Sequence, residues 1–149
     1  MPQRYHGKSL RIGRVSMTGM IYLVTTVTWQ REPLLREFDI ARIVTQTINR
    51  APPTTLAYVV MPDHVHWLLQ LQSDTTLALA LQRVKSISAH QINQHLSRRG
   101  PVWQRGYHDH AVRNEEDLRQ LARYVVANPV RAGIVTTVKD YPHWDAIWL

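Results

Sequence analysis

An α+β fold, one antiparallel sheet flanked by helices, is predicted by three observations on this sequence. Short β-branched and aromatic runs alternate with longer runs of helical periodicity, in the order β-α-β-β-α-β-α. Two of the strand runs meet at Pro62-Asp63; a connection that short joins antiparallel strands only, because a parallel pair needs a long crossover. Proline and glycine stand at the ends of the helical runs, as at Ala51-Pro52-Pro53 and Gly100-Pro101. The order is that of a ferredoxin-like sandwich, an architecture that unrelated functions share.

In chain order, residues 1–18 are basic with scattered Gly and Ser and read as an irregular arm. Tyr5, His6 and the arginines there suit stacking on bases and gripping phosphates; a disordered tail fits equally. Met20 to Trp29 is the first strand, broken by Glu32-Pro33. Phe38 to Asn49 carries apolar residues at helical spacing. Thr55 to Met61 and His64 to Leu71 form the hairpin. Leu77 to Leu96 is a second helix, with Leu77, Leu81, Val84, Ile87 or Ser88, and Ile92 spaced for burial. Val102 to Val112 is the fourth strand, irregular at Gly106. Asn114 caps a last helix whose first turn holds Glu115, Glu116 and Asp117, as the helix dipole favours. It runs to about Ala127, where Asn128-Pro129 ends it. The aromatic tail, residues 134–149, is expected to pack back on the core.

At 149 residues, 44% of them apolar, the chain has the length of one domain, 1–149, with a substantial core. It has no cysteine, so disulfides and thiolate metal sites are excluded. Its apolar runs are far too short to span a membrane, and residues 1–14 lack the hydrophobic segment of a signal peptide, so a cytoplasmic location is expected. The formal net charge is +7, and all but three of the 18 basic residues are arginine, whose planar fork suits phosphate. The acids are unevenly placed. None precedes Glu32, where Arg4, Lys8, Arg11, Arg14 and Arg31 lie, and none falls between Asp74 and Asp109, where Arg83, Lys85, Arg98, Arg99 and Arg105 lie. Two acid-free basic blocks are the footprint of a polyanionic partner; the plain alternative is a basic but inert surface.

The third strand opens His64-Val65-His66-Trp67. Residues two apart on a strand share a face, so the two imidazoles stand side by side with Cα atoms roughly 6.5–7 Å apart, able to hold one cation. Val65, Trp67, Leu69 and Leu71 point the other way, to the core. The plain alternative is two polar residues on a solvated face. On the last helix, at about 100° per residue, Leu118, Leu121, Ala122 and Val125 define the buried face. Tyr124 falls off it, with Asp117, Gln120, Asn128 and Arg131 on the same flank. Tyr124 and Asn128, at i and i+4, are neighbours. A phenol beside an amide oxygen, facing two imidazoles, suggests a nucleophile beside a mixed N/O site, which suits Mg²⁺ or Mn²⁺. Read alone, this helix fits equally a surface tyrosine before a helix-ending Asn-Pro.

Four ordered blocks carry a family resemblance: Val60-Met61-Pro62-Asp63-His64-Val65-His66, then Trp103-Gln104, then His110-Ala111-Val112-Arg113-Asn114, then Tyr124 followed by Asn128-Pro129-Val130 and Ala132-Gly133. Together they resemble the REP-associated tyrosine transposases, single-tyrosine members of the histidine–hydrophobic–histidine transposases, over roughly residues 18–145. The resemblance implies His64, His66 and Asn128 as metal ligands, with Tyr124 as nucleophile. It implies cleavage of single-stranded DNA at hairpin-forming repetitive extragenic palindromes (REPs), leaving a 5′-phosphotyrosine and a free 3′-OH, by a monomer or a homodimer.

A rival constellation is Tyr107-His108-Asp109-His110, a second histidine pair with its own tyrosine. Its middle residue is acidic, and Tyr107 is too close in sequence to approach from a separate element. His110 and Arg113 are expected near the DNA or at the edge of the site. Arg83 and Lys85 are phosphate-contact candidates. Two other functions fit the chain: a non-catalytic single-strand-binding module, and a metal-dependent RNA-processing enzyme that forms no tyrosine adduct.

Overall fold

The computed structural model describes residues 20–72, 74–113 and 115–148, with the side chains of 115–117 left aside. The basic arm, including Arg4, Lys8, Arg11 and Arg14, and the expected cap Asn114 lie outside the described residues.

Five strands form one antiparallel sheet: β1 Ile21–Val27, β2 Thr54–Val60, β3 His64–Gln70, β4 His108–Val112 and β5 Trp144–Ala146, in the order β4-β1-β3-β2-β5. The first four strands in the order β4-β1-β3-β2 are the ferredoxin-like arrangement read from the sequence. The helices are α1 Phe38–Arg50, α2 Leu77–Leu96, α3 Glu115–Val126 and the single turn α4 Asn128–Arg131.

The period of two assigns each strand's faces, and the helices cover both. Tyr22, Val24, Tyr58, Val60, Val65, Trp67 and Leu69 point to one side. There they pack with Ile40, Val44 and Ile48 of α1 and with Leu77, Leu81, Val84 and Ile92 of α2. On the other side Leu118, Ala122 and Val126 of α3 pack against Ala57, Leu68 and Ala146, while Val125 meets Val59 and Met61. Helix, sheet and helix are therefore three layers, and α3 lies on the face that β3 gives to its histidines.

Several expectations are corrected in detail. The fourth strand begins at His108 rather than Val102, because Trp103 makes only an isolated bridge to Thr28 and Gly106 turns the chain at φ 76°. The first strand stops at Val27, and Trp29–Arg31 form a tight turn instead. Of the alternatives on α2, Ser88 is buried and Ile87 exposed. The buried hydroxyl gives its proton to the Val84 carbonyl at 2.6 Å and accepts one from Trp103 Nε1 at 2.9 Å, so its polarity is satisfied. The Asn128-Pro129 pair ends α3 but starts α4, since proline is at home in a first helical turn, where its missing N–H costs nothing. The tail does pack back: Tyr141 is buried and donates its hydroxyl to the Val60 carbonyl, and Trp144–Ala146 add a strand to β2 that the sequence reading did not include.

Candidate functional site

The turn between β2 and β3 is tied down from the side. Met61 N–H donates to the His64 carbonyl at 2.8 Å, Thr28 N–H to the Asp63 carbonyl at 3.0 Å, and Leu35 N–H to the Pro62 carbonyl at 2.9 Å. The buried Thr28 hydroxyl adds a bond to the same Asp63 carbonyl at 3.1 Å. A turn anchored in this way fixes where β3 starts, and alternation then sends His64 and His66 to the α3 face.

The two rings lie 4.9 Å apart between centroids, with planes at 79°, edge to face. Each has its Nδ1 engaged, His64 with Asp63 Oδ1 at 2.8 Å and His66 with Thr25 Oγ1 at 2.8 Å. Burial raises the Asp63 carboxyl, but hydrogen bonds from His64 and Arg31 outweigh it and hold the group below its usual range. The ionised carboxylate only accepts, so His64 carries a proton on Nδ1, and a neutral ring then has its lone pair on Nε2. Burial first, then the positive charges of His64 and Arg131, push His66 down to about 4, so this ring is neutral near pH 7. Two imidazoles held through Nδ1, with Nε2 as the remaining ring nitrogen of each, are a donor pair that a divalent cation can take.

Behind Asp63 stands Arg31, whose guanidinium reaches the carboxylate at 3.2 Å. Gln30 and Arg31 both sit in the left-handed region, at φ 55° and 54°, a conformation that non-glycine residues adopt at a cost. Sequence reasoning gave Arg31 only a share in a basic block; the register that brings it to the hairpin turn is a tertiary fact.

On α3 the wheel reading holds for Leu118, Ala122 and Val125, which are buried, while Leu121 is half-buried and Tyr124 is 54% exposed. The Arg131 guanidinium carbon lies 3.7 Å from the Tyr124 ring centroid, stacked on its face. The same charge acts on His66. Asn128, half-buried, lies between Tyr124 and Arg131 in sequence. Among the described residues no group of three or more His, Cys, Asp or Glu gathers around one point.

The rival pair lies closer than its sequence suggested. Thr25 is opposite both His66 on β3 and His108 on β4, so His108 shares the histidine face two strands away. His110 is opposite Leu23, on the same face, and both rival histidines are exposed. Tyr107, in contrast, packs against the core beneath α1 and α2, on the opposite side of the sheet from the imidazoles. Arg83, Arg99, Arg105 and Arg113 are exposed. Two other basic candidates are engaged. Lys85 donates to the Gln104 and Gly106 carbonyls, both at 2.7 Å, pinning the approach to β4 onto α2. Arg98 forms a two-pronged pair with Glu32 at 3.1 and 3.0 Å.

A pair of strand-borne imidazoles facing a helix that carries an exposed tyrosine, on this sheet order, defines a class, and the comparisons agree with it. The family described as "Transposase IS200 like" matches residues 16–128, and the chain belongs to that family. The match contains His64, His66 and Tyr124 and ends on Asn128. A REP-associated tyrosine transposase of Escherichia coli is 28% identical over 111 residues, 73% of this chain and 64% of that protein. A Haemophilus influenzae protein provisionally given the same name is 32% identical over 108 residues, 66% of this chain and 61% of that one. The chain thus spans less than two thirds of the length of these curated relatives. The solved structure of a REP-associated tyrosine transposase bound to a REP hairpin superposes with TM-score 0.72 at 26% identity, covering 88% of this chain and 79% of that one. A Deinococcus radiodurans protein provisionally named a transposase, 22% identical with TM-score 0.55 over 76% of this chain and 93% of its own, shares the fold.

Proposed function

We propose that this chain is a metal-dependent single-stranded DNA endonuclease and strand transferase, acting on REP-type hairpins through a 5′-phosphotyrosine. The observation that carries the reading is the pair of imidazoles with both Nδ1 atoms engaged, beside a helix whose exposed tyrosine is stacked by an arginine. The transposase family and the hairpin-bound relative support the choice of substrate.

His64, His66 and Asn128 fit a hard divalent cation, Mg²⁺ or Mn²⁺, through two nitrogens and an amide oxygen. Such an ion, when bound, supplies charge stabilisation at a non-bridging oxygen of the scissile phosphate. The chain's own residues do the remainder. Asp63 and Thr25 orient the two rings through Nδ1. Arg131 holds the phenol plane and adds positive charge beside the phosphate. Tyr124 Oη attacks phosphorus in line, the bond to the 3′ oxygen breaks, the phenol proton passes to solvent, and the departing oxygen takes up a proton as a 3′-OH. The phosphotyrosine conserves the phosphodiester, so a second 3′-OH reverses the step and joins strands. The enzyme works where its DNA is, in the cytoplasm, as a monomer or a homodimer.

The test is incubation of the protein with single-stranded oligonucleotides from the DNA flanking its own gene, in Mg²⁺ or Mn²⁺, followed by a denaturing gel. A covalent adduct that disappears in EDTA is expected. Cutting without an adduct, or cutting that needs no divalent ion, overturns the mechanism.

A further inference from the structure

α3 has two flanks, and the reading above uses one. The other faces β5. There helix, strand and the residues after it enclose a groove of about 280 Å³ lined by Arg119, Ala122, Arg123, Val126, Ala146 and Trp148. Its composition is specific. Ala122, Val126 and Ala146 are buried and give a low apolar floor, while the Trp148 indole is 37% exposed. Arg119 and Arg123 are one helical turn apart and exposed, and neither guanidinium is paired with a carboxylate among the described side chains.

A small groove lined by one partly exposed tryptophan, a low apolar floor and two exposed arginines matches one ligand chemistry closely: a heterocyclic base with its phosphates. An apolar partner has no use for two arginines, and an acidic peptide has none for the indole. We propose that this groove holds one nucleobase of the single-stranded arm beside the cleavage point, stacked on Trp148, with its neighbouring phosphates on Arg119 and Arg123. The assignment rests on the reading of the substrate as single-stranded DNA. It adds a function to the helix, because Arg123 directly precedes Tyr124. The two flanks are separated by about one helix diameter, roughly 10–12 Å, so a base seated on one side sets which phosphate reaches the phenol on the other.

The experiment is equilibrium binding, by fluorescence anisotropy in EDTA so that nothing is cut. The probe is a hairpin oligonucleotide with single-stranded arms from the DNA flanking the gene, with an abasic site moved along the arms. At one arm position, removing the base is expected to weaken wild-type binding about five- to 150-fold, the range for one stacked base. Trp148→Ala should lose the same factor on the intact probe and nothing more on that abasic probe, while Trp148→Phe keeps most of the affinity. Arg119→Ala with Arg123→Ala should flatten the salt dependence by about 1.4 in slope, as two single-strand phosphate contacts imply. Wild-type affinity in Trp148→Ala, or a loss that is equal on every abasic probe, overturns the groove assignment and leaves the proposed function standing. A wild-type protein that prefers duplex to the hairpin probe overturns both.

Discussion

Tyr124 must be both accessible and dispensable to the fold if it is the nucleophile, and its position satisfies both conditions. The ring stands outside the α3 core and is held by Arg131 at 3.7 Å, a contact that needs the π face and not the hydroxyl. Tyr124→Phe is therefore expected to lower cleavage by about 10³-fold or more while the melting temperature and hairpin affinity stay near wild type. Tyr107→Phe is the control and should still cut; the opposite ranking moves the nucleophile to β4. Asp63 offers a finer test. Asp63→Asn leaves a neighbour that can donate to Nδ1 as well as accept from it, so the His64 tautomer is no longer imposed. Metal affinity, read from the Mn²⁺ concentration at half-maximal cleavage, should weaken about 10- to 100-fold with DNA binding unchanged. An unaltered Mn²⁺ requirement would show that Asp63 serves the turn alone. At this scale the sequence was half legible. That His64 and His66 share a face follows from the period of two. That Thr25 meets His66 depends on the β1–β3 register and is not written in spacing, whereas the helical spacing did put Arg131 on the flank of Tyr124, where it stacks on the phenol.

Between residue and fold, the elements show which basic residues are structural. Lys85 looked like a phosphate contact because it sits in an acid-free block. Burial lowers its pKa, and its ammonium already serves two carbonyls of the segment that feeds β4. Lys85→Met should therefore cost about 1–2 kcal/mol of stability, the low end for hydrogen bonds to a charged group because water reaches this one. Amide exchange should accelerate at residues 104–106. A loss of DNA affinity without a stability change would return Lys85 to the phosphate contacts. Element boundaries failed where tertiary pairing overrides local preference: Val102-Trp103 has strand composition but follows a bridge to Thr28 and a packing contact with Ser88. β5 is three residues long and includes Asp145, a residue depleted in strands, so only its partner Leu56–Val59 segment makes it a strand.

Across the whole molecule the order of strands and helices was readable because each apolar run kept one period and each break carried proline or glycine. What composition added was the strong positive charge, +7 net with two acid-free blocks. The structure divides the second block. Lys85 and Arg98 spend their charges on a loop and on Glu32, whereas Arg83, Arg99 and Arg105 remain exposed to a polyanion. Arg119 and Arg123 stand on the flank of α3 that faces β5, away from Tyr124, and Arg131 is stacked on Tyr124 itself. If these charges meet phosphates, binding releases counterions, and affinity must fall steeply as salt rises. The expected result is a linear fall of log K with log salt between about 50 and 200 mM, with a slope of roughly 0.7 for each phosphate met on a single strand. Removing residues 1–14 deletes Arg4, Lys8, Arg11 and Arg14. If all four touch phosphate the slope drops by up to about 3, with the melting temperature of the truncated chain measured alongside to separate lost contacts from lost stability. A truncated chain with an unchanged slope would place the arm off the DNA, and affinity that stayed flat with salt in the full chain would remove the electrostatic account altogether.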